Sequence, residues 1–339
     1  MSNLSNELRW NPLLGCWIIV SSGRAGRPWR SGGCPFCPGA PETGYGWDVL
    51  VLGNRFPALR RDAVVSRGSR DIYKVEPAYG ASYVVVETPE HEGDLDTVLF
   101  TSLVKYIGEL KTVTARECSD ERIKHVLPFR NKGEVIGVSL THPHSQIYVF
   151  PFIPPRIERE LVMLKEYREQ QGGCLLCRIM ELERDEKTRL LYENNGFLVF
   201  LPFYAMWPYE VHIVSKRHIP SLLELTDSEV EDLADSLKVV VAGYNSLFDF
   251  SLPYMMAIHQ APCRGERELF HLHVEFYPVH RARDKLKYAA GVEWGGWVFT
   301  YDGLPEERAL ELREAFKKGL EKLETSPEGY KARGRVHEG

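Results

Sequence analysis

Thr141-His142-Pro143-His144-Ser145-Gln146, running into Ile147-Tyr148-Val149-Phe150, decides how the rest of this chain is read. The apolar end of the stretch has the β-branched and aromatic content of a strand. On a strand, side chains two apart share a face, which predicts His142, His144 and Gln146 side by side. Imidazole binds metals, carries protons or attacks phosphorus, and an amide N–H suits a phosphate oxygen. A single His-x-His also arises by chance in strands, so the reading depends on what else the chain carries.

The cysteines supply that context. Of seven, four form two C-x-x-C pairs, Cys34/Cys37 and Cys174/Cys177, while Cys16, Cys118 and Cys263 stand alone. A redox pair of the thioredoxin type opens a helix after a strand. Cys34-Pro35-Phe36-Cys37-Pro38-Gly39 lies instead in a Gly/Pro-rich loop, so metal binding is the better reading there. The chain then repeats one order: Cys34-x-x-Cys37, His91, a helix and His142-Pro-His144, followed by Cys174-x-x-Cys177, His218, a helix and His271-Leu-His273. Two thiolates and two imidazoles are a tetrahedral zinc set that leaves no open position. The repetition predicts an internal duplication with two structural metal sites, Cys34/Cys37/His91/His142 and Cys174/Cys177/His218/His271.

Composition bounds the rest. The 339 residues (38.8 kDa) are 44% hydrophobic and 26% charged, the balance of a globular protein of one large or two ordinary domains. A net charge of −5 without a basic face argues against coating nucleic acid. No apolar run reaches the ~20 residues of a membrane span, and the first residues lack a signal-peptide layout. A cytoplasmic location is expected, where thiols stay reduced. Periodicity predicts strands at 17–20, 49–52, 83–87, 125–130 and from 138 onward, with helices over 95–115 and 156–171. It then predicts strands at 189–193, 197–201, 211–214, 255–260 and 271–277, and a helix over 227–248 with Thr226 and Glu229 as a capping box. A last amphipathic helix covers 305–324, ahead of a loose polar tail.

If His142 is a metal ligand, His144 is free to react. It must be neutral to attack, and a nearby backbone carbonyl would fix its tautomer. Attack on a phosphoanhydride would give a phosphoramidate and divide one displacement into two. Gln146 could hold a nonbridging oxygen, and Arg24 and Arg27 could neutralise phosphate charge. In the second half His273 is followed by Glu275 where Gln146 follows His144, so that half reads as structural.

These residues carry a resemblance along nearly the whole length, from Trp10-Asn11-Pro12 to about Glu293. Arg24-Ala-x-Arg27-Pro-Trp29, Cys34-x-x-Cys37-Pro-Gly39, Asn54-x-Phe56-x-Ala-Leu59, Asn131-Lys-Gly133, Ser139, His142-Pro-His144-Ser-Gln146-Ile147 and Arg159-Glu160 are followed by Pro253-Tyr254-x-Met256, His259-x-Ala-Pro262, His273, Phe276-Tyr277-Pro278, Lys287 and Glu293. Together they resemble the galactose-1-phosphate uridylyltransferase family of the histidine-triad superfamily. The resemblance implies an α+β fold of duplicated histidine-triad-like halves, each a mainly antiparallel sheet packed with helices. Residues 1–171 would be the catalytic half, 172–325 the second half and 326–339 a flexible tail. It implies a ping-pong exchange of uridylyl groups between UDP-glucose and galactose 1-phosphate through a uridylyl-histidine at His144. Gln146 and Ser139 would hold the phosphate, and Arg24, Arg27, Asn54 and Asn131 would contact the nucleotide. Lys287 and Glu293 would reach the sugar from a partner subunit, so a homodimer with composite sites is implied.

Departures are visible as well. Family members carry a further metal, iron or zinc, on a glutamate and three histidines; Glu160, His259 and His273 match three of these, and Glu275 stands at the fourth. The sugar-contacting glutamine after Glu293 has no counterpart in Trp294-Gly295-Gly296-Trp297. Two alternatives stay open: an ADP-sugar or dinucleoside polyphosphate phosphorylase using the same histidine, and a non-catalytic zinc-stabilised nucleotide-binding protein.

Overall fold

The computed structural model describes residues 6–26 and 33–338. Strands β1 (Asn6–Asn11) and β2 (Cys16–Ser21) form a hairpin in which Asn11 Oδ1 accepts the Leu13 and Leu14 N–H groups. A 3₁₀ turn, Ser22–Gly26, leads away from it. β3 (Leu50–Gly53), β4 (Val75–Pro77) and β5 (Ala81–Val86) follow, and β4 pairs with β1 to complete a small sheet, β2-β1-β4. Then come α1 (Phe100–Cys118), β6 (His125–Lys132), β7 (His144–Phe150), α2 (Pro155–Gln171) and α3 (Leu175–Glu186). The second half supplies β8 (Leu190–Glu193), β9 (Phe197–Phe200), β10 (Val211–Ser215), α4 (Asp227–Leu247), β11 (Tyr254–His259) and β12 (His273–Pro278). A short hairpin, β13 (His280–Ala282) and β14 (Lys285–Leu286), precedes α5 (Gly291–Gly296), α6 (Pro305–Glu324) and β15 (Arg335–Val336).

Ten strands form one antiparallel sheet, β15-β8-β9-β10-β12-β11-β6-β7-β5-β3. Outward from the β6–β11 contact, one side runs β6, β7, β5, β3 and the other runs β11, β12, β10, β9. The innermost strand on each side follows a long helix, and the next carries the His-x-His. The expected duplication is therefore laid out as an approximate two-fold, with both halves sharing one α+β sheet. Alternation sorts the two faces. In β7, Ser145, Ile147 and Val149 are buried towards one side, while His144, Gln146 and Tyr148 stand half-buried on the other. The first face packs with α1, α4 and α6 into the main core, which draws on Ile147, Val149, Leu110, Ile213, Val274, Leu237 and Phe316. The second face is left for polar side chains.

Thr226 caps α4 in the expected capping box with Glu229. Other expectations need correction. Helix α1 starts at Phe100 rather than 95, because Thr97 and Val98 N–H groups close a turn on the Asp94 carbonyl. Leu95 and Val98 join the same core without being helical, which is why the apolar spacing ran on. The strand expected from 138 begins only at His144, and the one expected from 271 only at His273, so His142 and His271 lie just before their strands. Helix α3 was not anticipated; Cys174 is its N-cap, and Leu176, Met180 and Glu183 form its buried stripe. Cys118 and Cys263, read as lone thiols, form a disulfide that joins the end of α1 to the loop after β11. The tail is tied down rather than loose: β15 pairs with β8, Tyr330 donates to Asp235 Oδ1 at 2.5 Å, and Arg333 binds Asp232 at 2.7 Å. Polar composition concealed this, because Asp232 and Asp235 are buried acceptors on α4 that only tertiary packing presents.

Candidate functional site

His144 opens β7 on the polar face. Its Nδ1 lies 2.8 Å from the His142 carbonyl, so that nitrogen carries the proton and Nε2 keeps its lone pair. Burial lowers the affinity of this imidazole for a second proton, which keeps the ring neutral near pH 7. Phe36 packs against it with ring centroids 5.1 Å apart. A neutral, tautomer-fixed imidazole with a bare nitrogen is a nucleophile in waiting.

Two clefts meet at this ring. The smaller, about 140 Å³, is lined by His144, Gln146, Ser139, Asn54, Phe56 and Leu52 among others. Asn54 is held in place, its Oδ1 accepting the Phe56 N–H at 2.9 Å. Arg24 reaches the same region, donating to the Phe56 carbonyl and the Tyr148 hydroxyl at 3.1 Å each. The larger cleft, about 380 Å³, opens on the other side and includes Asn131, Lys132, Asp96, Asn245 and His144. Gly133 bounds it with φ of 110°, and a Cβ there would come 2.6 Å from Pro253, so the position requires glycine. Arg27 lies outside the described residues. Lys287 and Glu293 line neither cleft: the Lys287 ammonium binds the Thr300 carbonyl, and Glu293 accepts from Ala290 N–H and the Thr300 hydroxyl.

Behind β7 is a buried polar platform that the sequence reading missed. Arg130 forks onto Glu87 with contacts of 2.9, 3.0 and 3.1 Å and reaches Tyr254 and Asp94 with its other nitrogen. Glu87 also accepts the Ser145 hydroxyl, which meets Tyr106 at 2.9 Å. The signal was present as single charges in apolar strands, Glu87 after Tyr83-Val84-Val85-Val86 and Arg130 within β6.

The two Cys/His sets assemble in parallel geometries. In the first, Cys34 and Cys37 Sγ lie 3.5 and 3.7 Å from His142 Nδ1, and Cys37 lies 3.2 Å from His91 Nδ1. In the second, Cys174 and Cys177 lie 3.3 and 3.7 Å from His271 Nδ1. Each anchoring imidazole donates its other nitrogen to a carbonyl, His142 to Thr88 at 2.8 Å and His271 to Ser215 at 2.6 Å, with His218 donating to Glu268 at 2.9 Å. That leaves Nδ1 of His142 and His271 bare and aimed at sulfur, the orientation in which second-sphere acceptors hold metal ligands. Thiolate and imidazole donors around a tetrahedral zinc ion stand about 3.5 Å apart, so both sets fit one. Burial and the neighbouring Cys174 sulfur push the Cys177 thiol upward. Without a cation, one sulfur of the pair suppresses ionisation of the other.

A third group, Glu160, His259, His273 and Glu275, gathers on the polar face of the second half, with donor atoms all within 4.8 Å of one another. His273 repeats His144, its Nδ1 lying 2.8 Å from the His271 carbonyl. Its bare Nε2 faces Glu275 Oε1 at 3.4 Å. Where the first half offers a cleft beside an amide, this half offers buried carboxylates that would repel a phosphate.

The comparisons with known proteins agree along the chain. The profile for the galactose-1-phosphate uridyl transferase N-terminal domain matches residues 1–154, and that for the C-terminal domain matches 160–314. Galactose-1-phosphate uridylyltransferase from Thermotoga maritima is 41% identical over 314 residues, 91% of this chain and 98% of that protein. A solved structure described as a uridylyltransferase superposes with a TM-score of 0.87 at 44% identity, covering 93% of this chain and 99% of that one. An ADP-glucose phosphorylase from Arabidopsis thaliana, solved with ADP-glucose bound, gives 0.71 at 27% identity over 91% and 99%.

Proposed function

The chain belongs to the galactose-1-phosphate uridyl transferase family, and from that premise we propose how its residues carry the exchange of a uridylyl group between UDP-glucose and galactose 1-phosphate. His144 Nε2 attacks the uridine-bearing phosphorus; a nitrogen–phosphorus bond forms and the bond to the glucose 1-phosphate oxygen breaks. Galactose 1-phosphate enters, its phosphate oxygen takes the uridylyl group, and the imidazole is released as UDP-galactose leaves. No net proton transfer is needed, because the leaving and entering groups are both phosphate oxygens. The observation that carries this reading is the Nδ1 contact to the His142 carbonyl, which leaves Nε2 bare at the meeting point of two clefts. Preorganisation of this kind removes orientation from the barrier.

Gln146 and Ser139 hold the transferred phosphate, and Arg24, Arg27, Asn54 and Asn131 contact the nucleotide. Zinc on Cys34/Cys37/His91/His142 and on Cys174/Cys177/His218/His271 would supply structure rather than reaction chemistry, since each shell would be closed. The Glu160/His259/His273/Glu275 group would take a further divalent ion, with iron as one candidate. Lys287 and Glu293 serve a partner's site in a homodimer; that neither lines the two clefts of its own chain supports this, and sedimentation tests it. No described helix is long and apolar enough to cross a membrane. A cytoplasmic location is part of the proposal, with the Cys118–Cys263 bridge as the observation against an ordinary reducing compartment.

The test is to offer UDP-glucose radiolabelled in the uridine-bearing phosphate, without acceptor. Label should be trapped on the wild type and absent from His144→Ala. Trapping in the variant, or none in the wild type, refutes the intermediate. ADP-glucose offered in parallel tests the second reading, which the likeness to the ADP-glucose phosphorylase supports.

A further inference from the structure

The ladder that carries His144 runs out at the reactive residue itself. Strand β7 pairs with β6 only from Gln146 onward, and with β5 only as far as His144, opposite Val86. Beyond that point the chain is gripped by the two residues that follow β5. The Glu87 N–H donates to the Pro143 carbonyl at 3.1 Å, and the Thr88 carbonyl accepts from His142 Nε2 at 2.8 Å. The Glu87 carboxylate also accepts the Ser145 hydroxyl. His142, Pro143 and Ser145 are thus all tied to Glu87 and Thr88. Alternation turns the side chain between them, His144, to the opposite face, where the two clefts meet.

Glu87 is itself held fast. It is fully buried, Arg130 donates to it from Nε and Nη2 at 2.9–3.1 Å, and Arg130 Nη1 is anchored on the Tyr254 hydroxyl at 2.8 Å. The Tyr106 hydroxyl meets Ser145 at 2.9 Å. A buried charge pair is weak evidence for stability, since apolar side chains of similar volume often serve a fold as well. The second half shows that this fold can do so. There Val214 stands opposite His273 as Val86 stands opposite His144, so Ser215 takes the place of Glu87 and Val274 that of Ser145. The Ser215 N–H repeats the backbone bond, donating to the Leu272 carbonyl at 3.3 Å, and Val274 is buried in the main core. A tie from hydroxyl to carboxylate therefore stands behind the imidazole that faces the clefts. Behind its counterpart the same two positions hold a valine and a serine.

We propose that Glu87, acting through the Ser145 hydroxyl, is a positioning residue for His144: it holds the end of β7 so that Nε2 stays aimed at the point where the two clefts meet. The inference rests on the reading, made above, that His144 is the nucleophile. Glu87 and Ser145 are both fully buried, so they act on the reaction only through the residue between the clefts. Aim affects the rate of attack far more than it affects how tightly substrate is bound. The loss on breaking the tie therefore falls on the rate of transfer to His144.

The test uses the full-length, zinc-loaded protein and the single-turnover rate at which UDP-glucose, radiolabelled in the uridine-bearing phosphate, labels it. Ser145→Ala should slow labelling at saturating UDP-glucose by about 10- to 100-fold, while the concentration giving half the maximal rate moves by less than about 3-fold. Tyr106→Phe is the control. It removes a hydroxyl from the same buried cluster but leaves the tie from Ser145 to Glu87, so it should lower the thermal midpoint and keep the wild-type rate. Glu87→Gln and Glu87→Leu, each combined with Arg130→Met, form a second pair that carries the test if Ser145→Ala does not fold. Both lack the ion pair, and only glutamine keeps an oxygen for the Ser145 hydroxyl, so the glutamine variant should label at least about 10-fold faster. An unchanged rate in Ser145→Ala, equal slowing in Tyr106→Phe, or equal rates in the glutamine and leucine variants overturn the positioning role and leave the nucleophile in place. No label on the wild type overturns the nucleophile together with this inference.

Discussion

Replacing Arg130 by methionine should be among the most damaging single changes outside the metal sets. Arg130 is 2% exposed and Glu87 is fully buried. The guanidinium makes three contacts of 2.9–3.1 Å to Glu87, one of 2.8 Å to the Tyr254 hydroxyl and one of 3.0 Å to Asp94. Charge-assisted bonds contribute about 1.5–3 kcal/mol each. Asp94 keeps Lys132 at 2.7 Å, so the loss falls mainly on Glu87, left charged in a dry interior. Breaking a buried ion pair on one side costs about 3–5 kcal/mol, the magnitude expected for Arg130→Met. Glu87→Gln combined with Arg130→Met removes both charges and should recover part of that cost, with a coupling energy above about 1 kcal/mol. The assay is urea unfolding of wild type, both single variants and the double variant, with the Cys118–Cys263 bridge intact. A cost under about 1 kcal/mol for Arg130→Met, or strictly additive losses, would refute the argument that this platform is a low-dielectric ion cluster.

Three further outcomes are expected. Cys174→Ser should remove one zinc per chain by elemental analysis and lower the thermal midpoint, while sparing label transfer to His144; an unchanged midpoint would eliminate the second structural site. The Arg217 guanidinium, 2.7 Å away, holds the Glu229 carboxyl down at about 2, against an ordinary 4.5. Its contribution is present above about 4.5 and is lost as pH falls towards 2, so Glu229→Gln should be less stable than wild type at pH 7 and converge with it near pH 2 in melting curves. In α6, a Cβ at Gly319 would lie 2.6 Å from the backbone of Ala242 on α4. Gly319→Ala should therefore destabilise by about 1–3 kcal/mol in the same urea assay, despite alanine's better helix propensity; a stabilised variant would show that the α4–α6 contact has slack.

Much of the site was legible because its chemistry is written in local spacing. His142-Pro143-His144 puts the His142 carbonyl within reach of the His144 ring, and a carbonyl fixing that tautomer was expected from sequence before it was seen. The Cys/His order predicted which cysteines and histidines would meet, and the fold gathers both groups to within 4.8 Å. The strand under His142 was misjudged because Pro143 has no N–H to give a ladder; it contributes only its carbonyl, which accepts the Glu87 N–H at 3.1 Å. Helix α3 was missed because twelve residues with three glutamates, two arginines and an aspartate show a thin apolar stripe, and its burial depends on β8, β9 and β10.

From sequence alone came the duplication, the face shared by His144 and Gln146, and the Cys/His groups that include His142, since these depend on residue type and on separations of two or three positions. Tertiary structure alone decided the pairings made across great distances along the chain. Cys118 meets Cys263, Arg130 meets Glu87, and His212 faces Glu275 only because β10, β12, β11, β6, β7 and β5 lie adjacent in one sheet. Strand order, unlike the side-chain alternation within each strand, is set by how the helices and both halves bury their common core. That is a property of the whole chain, which no short stretch contains.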